Sequence, residues 1–175
     1  ITTTGATVIE NLEAKSHGIL IWRALLQWLG GVGIIVMALA VLPMLSIGGM
    51  QLFKTESYET PDKVVPKAAS FAAGISIVYI TLTVIWALML WGAGMPMFDS
   101  IAHAMTTLAT GGYSTKSESL AAFNSSTIEI IIIFGMLVGS LPFVHYLALT
   151  KNGIKNLVKD DQVKLFLTLV FFVVL

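Results

Sequence analysis

Three stretches of this chain carry no charged residue: Ala24 to Phe53, Ala68 to Phe98 and Ile130 to Thr150. A helix crosses a bilayer with roughly 20 apolar residues, whereas a surface helix of a water-soluble domain keeps one polar face. The pattern therefore predicts spans at about 19–52, 68–91 and 128–149, and a fourth starting near Val163. The first is long for a single span and holds Pro43 and the Gly48-Gly49 pair, so it is expected to bend, tilt or break near its end. Gly30, Gly31 and Gly33 lie inside it, and Gly135 and Gly139 form a GxxxG pair in the third span. Small residues at such positions let neighbouring helices approach closely in a membrane.

The connection 92–127 follows neither pattern. It is too weakly charged for a free loop and too short of apolar residues to span. Pro96 and Asp99 mark a helix start, because proline is tolerated in the first turn and an acid there complements the helix dipole. The run Met97 to Leu108 predicts a helix of about 18 Å, at 1.5 Å per residue. That reaches only partway into a ~30 Å hydrocarbon layer. Ala109-Thr-Gly-Gly-Tyr-Ser-Thr then ends the helix, since its glycines favour turning backbone. The expectation is a re-entrant hairpin: a half-helix in and an extended strand (109–115) back out. Such backbone survives at membrane depth only against protein or a water-filled path.

Composition agrees with this picture. The 175 residues are 56% hydrophobic and 11% charged, with a mean hydropathy of +0.86, against about 25% charged in soluble domains. Ten Lys and Arg balance ten Asp and Glu, so no net field attracts a polyanion and no nucleic acid is expected as a partner. With no cysteine there is no disulfide, thiolate metal site or cysteine nucleophile. Three lysines in 54–67 and four in 151–164, against Lys116 alone in 92–127, place the first two connections on the cytoplasmic side. The chain opens on Ile1 and stops within the apolar run Leu165 to Leu175, so part of a longer protein is expected.

A short string recurs. Thr2-Thr-Thr-Gly-Ala-Thr-Val precedes a polar stretch and a long span, as does Thr106-Thr-Leu-Ala-Thr-Gly-Gly-Tyr. Setting Gly5 on Gly112 gives a period of 107 residues (112 − 5). The chemistry suits a dehydrated cation, which needs oxygen ligands. Glycine permits positive φ and leaves the lumen open, and threonine adds a hydroxyl. The half-helix aims its partly negative C-terminus at the same place. No carboxylate lies within 1–9 or 109–115, which favours a weakly hydrated monovalent ion such as K⁺ over Ca²⁺ or Mg²⁺.

Thr2-Thr-Thr-Gly-Ala-Thr-Val, Trp22-Arg-Ala-Leu-Leu-Gln-Trp-Leu-Gly-Gly-Val-Gly-Ile-Ile-Val and Gly48-Gly-Met-Gln-Leu-Phe together resemble the TrkH-type potassium uptake proteins of the Trk/Ktr/HKT superfamily. Ala109-Thr-Gly-Gly-Tyr-Ser-Thr resembles the second filter segment of that family. The resemblance implies an all-α membrane protein in which span–re-entrant pore helix–span units repeat four times around a central ion pathway. It implies that this chain runs from the first repeat's filter, through the second repeat, into the third. Residues 1–53 would be a filter segment and second span, 54–67 a cytoplasmic linker, 68–150 a complete pore repeat, and 151–175 a linker and the start of the next repeat. Thr3, Thr4, Gly5, Thr110, Gly111 and Gly112 would be K⁺ filter residues. Also implied are a bacterial inner-membrane location, a homodimer of the full-length protein and a cytosolic nucleotide-binding regulatory subunit, for which the 54–67 and 151–164 loops are candidate docking surfaces. K⁺ would be the transported ion, with no cofactor in this chain.

Other residues have plainer readings. His103 is expected to be a buried, hydrogen-bonded side chain of the half-helix, as is His145 in the third span, and His17 a solvated loop residue. Arg23 and Trp22 read as interface anchors. Glu129 and Asp99 suit helix N-termini. Ser114, Ser117 and His103 do not make a hydrolase, because there is no G-x-S-x-G elbow or partnered carboxylate. The expected function is K⁺ transport rather than catalysis. The alternatives are a non-selective or Na⁺-preferring transporter of the same superfamily, and a non-transporting membrane scaffold.

Overall fold

The computed structural model describes residues 2–45, 64–143, 146 and 161–174. Among these residues the regular backbone is helical and no strand occurs. The long helices are α1 (His17–Leu45) and α2 (Val64–Gly92). A short α3 (Met97–Leu108) and α4 (Ser126–Ser140) follow. Single 3-10 turns at Leu12–Ala14 and Ser119–Phe123 lead into α1 and α4 respectively. The chain divides into a unit of Ile1–Ser140 and a unit of Leu141–Leu175.

Several boundaries differ from the hydropathy reading. α2 begins at Val64 rather than at 68, so 64–67 is helix and not linker. Pro66 does not prevent this, because the first turn's N–H groups have no intrahelical acceptor to lose. α4 ends at Ser140; Phe143 and Tyr146 are helical again, and 144, 145 and 147–149 of the expected span lie outside the described residues. Pro142 cannot donate to the helix ladder and biases Leu141 away from helical φ and ψ, and both residues are non-helical here. In α1 the helical backbone continues through Pro43 to Leu45. The Gly48-Gly49 pair, His145, and the lysines of 54–63 and 151–160 lie outside the described residues.

In the first unit α3 sits at the centre, packed against α1, α2 and α4. It is the least apolar of the four, yet Asp99, Ser100, His103, Thr106 and Thr107 are all buried. The outer helices show large apolar side chains at their surface, among them Ile77, Ile80, Val84, Leu88, Ile130, Ile133 and Phe134. Water would drive the opposite arrangement, with aliphatic side chains inside. Polar residues facing the interior of a bundle and apolar ones outside is the order a bilayer selects. Among the described residues, Ala72–Gly92 is long and apolar enough to cross a membrane.

Small residues and hydrogen bonds hold the bundle together. A Cβ on Gly31 would lie 2.8 Å from the Tyr79 hydroxyl and 3.0 Å from Ala109. One on Gly139 would lie 2.6 Å from the Leu108 carbonyl oxygen, and one on Gly135 would strike the Trp86 indole. The GxxxG pair thus seats α4 on α2 and α3. Gly33 is different: nothing within 4 Å surrounds its missing Cβ. The Trp28 indole donates to Thr83 Oγ1 (3.0 Å), Tyr79 donates to the Trp28 carbonyl (3.2 Å), and the Trp86 indole donates to the Ile131 carbonyl (3.0 Å). Such bonds average about 0.6 kcal/mol each within a membrane.

The second unit contains α5 (Asp161–Val174). It starts two residues before Val163, with Asp161 in its first turn 3.1 Å from Lys164 Nζ. Phe171 and Phe172 pack edge to face, and with Leu165, Leu167 and Leu169 they leave its surface apolar.

Candidate functional site

The two Thr/Gly strings come together. Gly5 lies so close to the Gly111 carbonyl that no Cβ fits between them. Their backbones also share an unusual conformation. Thr3 has φ 53° and Gly5 φ 74°; Thr110 has φ 51° and Gly112 φ 76°. Thr4 and Gly111, between them, are not at positive φ. The same alternation therefore recurs at the 107-residue offset read from the sequence. The 3-10 turns keep that offset too, since Leu12 maps onto Ser119. A β-branched residue at positive φ is a steric outlier, costing about 1–3 kcal/mol, and it persists only where its surroundings enforce it.

Those surroundings can be named. α3 ends by turning its last carbonyls onto the string that follows. Thr107 accepts from the Thr110 N–H (2.9 Å), and Thr106 accepts from the N–H of Gly111 (2.9 Å) and Gly112 (3.4 Å). The Thr106 hydroxyl donates to the Tyr113 carbonyl (2.9 Å). His103 is buried as expected: Nδ1 is 2.8 Å from the Asp99 carbonyl and Nε2 is 3.1 Å from Ser114 Oγ. Pro96 immediately precedes α3, and Ser100 Oγ donates back to the carbonyls of Met95 (3.1 Å) and Pro96 (3.0 Å). Asp99 occupies the first turn.

α1 supplies side chains whose role the sequence did not disclose. The Arg23 guanidinium donates to Thr7 Oγ1 (2.8 Å) and lies 4.4 Å above the Tyr113 ring, tying one string to the other. Gln27 is 1% exposed, and its Oε1 accepts from the Tyr113 N–H (3.2 Å). Its amide fills the space where a Cβ of Gly111 would go. The available signal was the single amide of α1, which in a span marks a position with a polar task. Trp22 stays exposed; His17 is exposed too, but it opens α1 rather than lying in a loop, and it stacks on Phe98 with ring centroids 4.2 Å apart.

A second tie lies beyond the strings. Glu13 accepts from the Ser117 N–H (2.7 Å) and the Ser117 hydroxyl (2.6 Å), and the Leu12 N–H donates to Ser117 Oγ (3.2 Å). These bonds hold the Glu13 carboxyl well below its ordinary range, at about 2, with the Ser117 hydroxyl as the largest cause. Between this tie and the strings lies a cavity of about 550 Å³, lined by residues that include Gly5, Thr7, Gly112, Ser114 and Lys116. Of the expected site residues, Thr4 and Thr110 are exposed, Thr3 and Gly5 half-buried, Gly111 buried and Gly112 exposed. Thr4 Oγ1 lies 2.8 Å from Thr2 Oγ1. Among the described residues no cluster of His, Asp and Glu could hold a metal ion.

Comparison with known proteins gives a consistent result. The family model described as "TrkH: Cation transport protein" matches residues 1–175. The Trk system potassium uptake protein TrkI of Halomonas elongata is 41% identical over 177 residues, covering 100% of this chain and 36% of that protein. The potassium uptake protein TrkH of Escherichia coli K12 is 40% identical over 177 residues, covering 99% and 37%. The crystal structure of the potassium transporter TrkH from Vibrio parahaemolyticus superposes with a TM-score of 0.81 at 38% identity, covering 98% of this chain and 35% of that one. The chain thus spans a little over a third of the length of these relatives.

Proposed function

The chain belongs to the TrkH family of cation transport proteins, and from that membership we propose that it forms part of a K⁺ uptake pathway in a bacterial inner membrane. Its two Thr/Gly strings line the path of the ion. The observation that carries this reading is the repeated alternation of φ at Thr3 and Gly5 and at Thr110 and Gly112. Backbone that alternates in this way turns successive carbonyls toward one side, and a row of carbonyls can replace the hydration shell of a monovalent cation. Two threonines held in a costly conformation at matching positions need such a purpose. The C-terminal end of α3, adjacent to Thr110, adds the negative end of a helix dipole. Neither 2–9 nor 109–115 contains a carboxylate, so the site suits K⁺ better than a divalent ion.

In this reading α1, α2 and the 128–149 segment that α4 opens cross the membrane, α3 enters it partway, and Thr3, Thr4, Gly5, Thr110, Gly111 and Gly112 contribute oxygens to the ion. Conduction is passive and channel-like. A homodimer of the full-length protein and a cytosolic nucleotide-binding subunit docking on the lysine-rich 54–67 and 151–164 segments complete the proposal.

The test is K⁺ uptake in a K⁺-uptake-deficient bacterium expressing the full-length protein, wild type beside Gly112→Ser. Serine at φ 76° is disfavoured by about 1 kcal/mol or more. Selective K⁺ uptake by the wild type that loses selectivity in the mutant supports the proposal. Equal K⁺ uptake in both would assign the strings a packing role. Wild-type uptake that prefers Na⁺ would replace K⁺ by Na⁺ as the cargo.

A further inference from the structure

Gln27 is the least expected polar group in the bundle. It lies in an apolar stretch of α1, is 1% exposed, and reaches a backbone N–H 86 residues away in the chain. The Tyr113 N–H can only donate, so it must face the amide oxygen, and this fixes which way the amide points. Nε2 is then directed elsewhere and has no hydrogen-bond partner among the described residues. A buried amide group left half-satisfied is costly. An alkyl side chain of similar volume would avoid that cost and pack the same space, so packing alone does not account for a glutamine here.

Gly111 supplies the second half of the observation. It is not at positive φ, so its own backbone conformation does not demand glycine. The Gln27 amide demands it, because any Cβ at 111 would overlap Cδ of Gln27. Gln27 and Gly111 are thus a matched pair: the missing side chain of one admits the amide of the other. Through this pair α1 presses directly on the backbone of 111–113, on the segment already fixed at its other side by Thr106.

We propose that Gln27 is the specificity-setting positioning residue for the second string: its amide fixes the 111–113 backbone at the spacing that prefers K⁺ to the smaller Na⁺. The inference rests on the transport reading above. Cation discrimination requires the carbonyls to be held against collapse onto the smaller ion, and the Tyr113 bond together with the Gly111 contact opposes that movement. Gln27 itself does not touch the ion.

The experiment measures K⁺ and Na⁺ uptake, with protein level in the membrane, for the full-length protein and three variants. Gln27→Leu keeps the volume and removes the acceptor. Its K⁺ over Na⁺ preference is expected to fall by about tenfold, the worth of one hydrogen bond, while transport per molecule persists. Gly111→Ala should abolish uptake through the clash with the amide. The double variant Gly111→Ala/Gln27→Ala should recover uptake, because the methyl then has room, but not selectivity. This arm remains readable if Gln27→Leu fails to accumulate. An unchanged preference in Gln27→Leu, or a double variant no better than Gly111→Ala alone, overturns the role given to Gln27. Absence of K⁺ uptake in the wild type would instead overturn the transport reading itself.

Discussion

Glycine serves three separate purposes in this chain, and each gives a different response to an added methyl group. Gly5 and Gly112 occupy left-handed backbone, Gly111 makes room for an amide, and Gly31, Gly135 and Gly139 let helices touch. Gly139 faces the Leu108 carbonyl oxygen at 2.6 Å from an added Cβ, and backbone cannot rotate away as a flexible side chain can. Gly139→Ala is therefore expected to cost about 1–3 kcal/mol, the range found for overpacking a tight core. Gly33→Ala meets nothing within 4 Å and should stabilise α1 by up to about 1 kcal/mol through helix propensity. Unfolding of the purified protein in mixed detergent micelles distinguishes the two. Shifts of the same sign would mean that the glycines of α1 and α4 are not divided as their contacts divide them.

At the scale of elements, the two Thr/Gly strings and the turns that follow them are joined by contacts that lie far apart in sequence. The turn Leu12–Ala14 docks on Ser117 through Glu13 and Leu12. The Glu13 carboxyl has a folded value of about 2 against an ordinary value of 4.5. The ionised form is thus the bonded form, so the tie is fully present above about pH 4.5 and is lost as pH falls toward 2. Hydrogen exchange at the Ser117 amide, corrected for its intrinsic rate, should lose protection across that window. Glu13→Gln should flatten the dependence, and a pH profile identical to wild type would show that another group controls it. The half-helix α3 was legible beforehand because Pro96, Asp99 and Gly111-Gly112 punctuate it. The Thr/Gly strings were legible because their composition repeats. The ends of α2 and α4 were not, since hydropathy ignores where a proline falls: Pro66 lies in a first turn, whereas Pro142 ends a helix. Gln27 and Arg23 were also hidden. Their partners, Tyr113 and Thr7, are set by packing at the scale of the whole bundle and leave no local pattern.

For the first unit taken as a whole, the governing fact is that its polar helix α3 is inside and its apolar helices are outside. In water that arrangement would expose Ile77, Ile80, Val84, Ile85 and Leu88 along one helix, a contiguous apolar surface of the kind that marks contact with lipid or protein. In a bilayer the same residues cost nothing, and the buried side chains of α3 become the expensive ones, compensated by His103–Ser114, Thr106–Tyr113 and Ser100–Met95. Ile80 lies near the middle of Ala72–Gly92 and is 49% exposed. Aspartate there could not snorkel to an interface, and the hydroxyls a turn away along the helix, Ser76 and Thr83, already donate to the Ala72 and Tyr79 carbonyls. Ile80→Asp is expected to cost roughly 3 kcal/mol of insertion free energy, leaving a clear deficit of membrane-inserted protein, while Ile80→Leu inserts as wild type. Glycosylation-tag or protease-accessibility mapping of α2 reads the inserted fraction directly. Equal insertion of the two variants would mean that the Ile80 face meets another part of the full-length protein rather than lipid, and the outward surface of the bundle would have to be sought on the opposite side of α2.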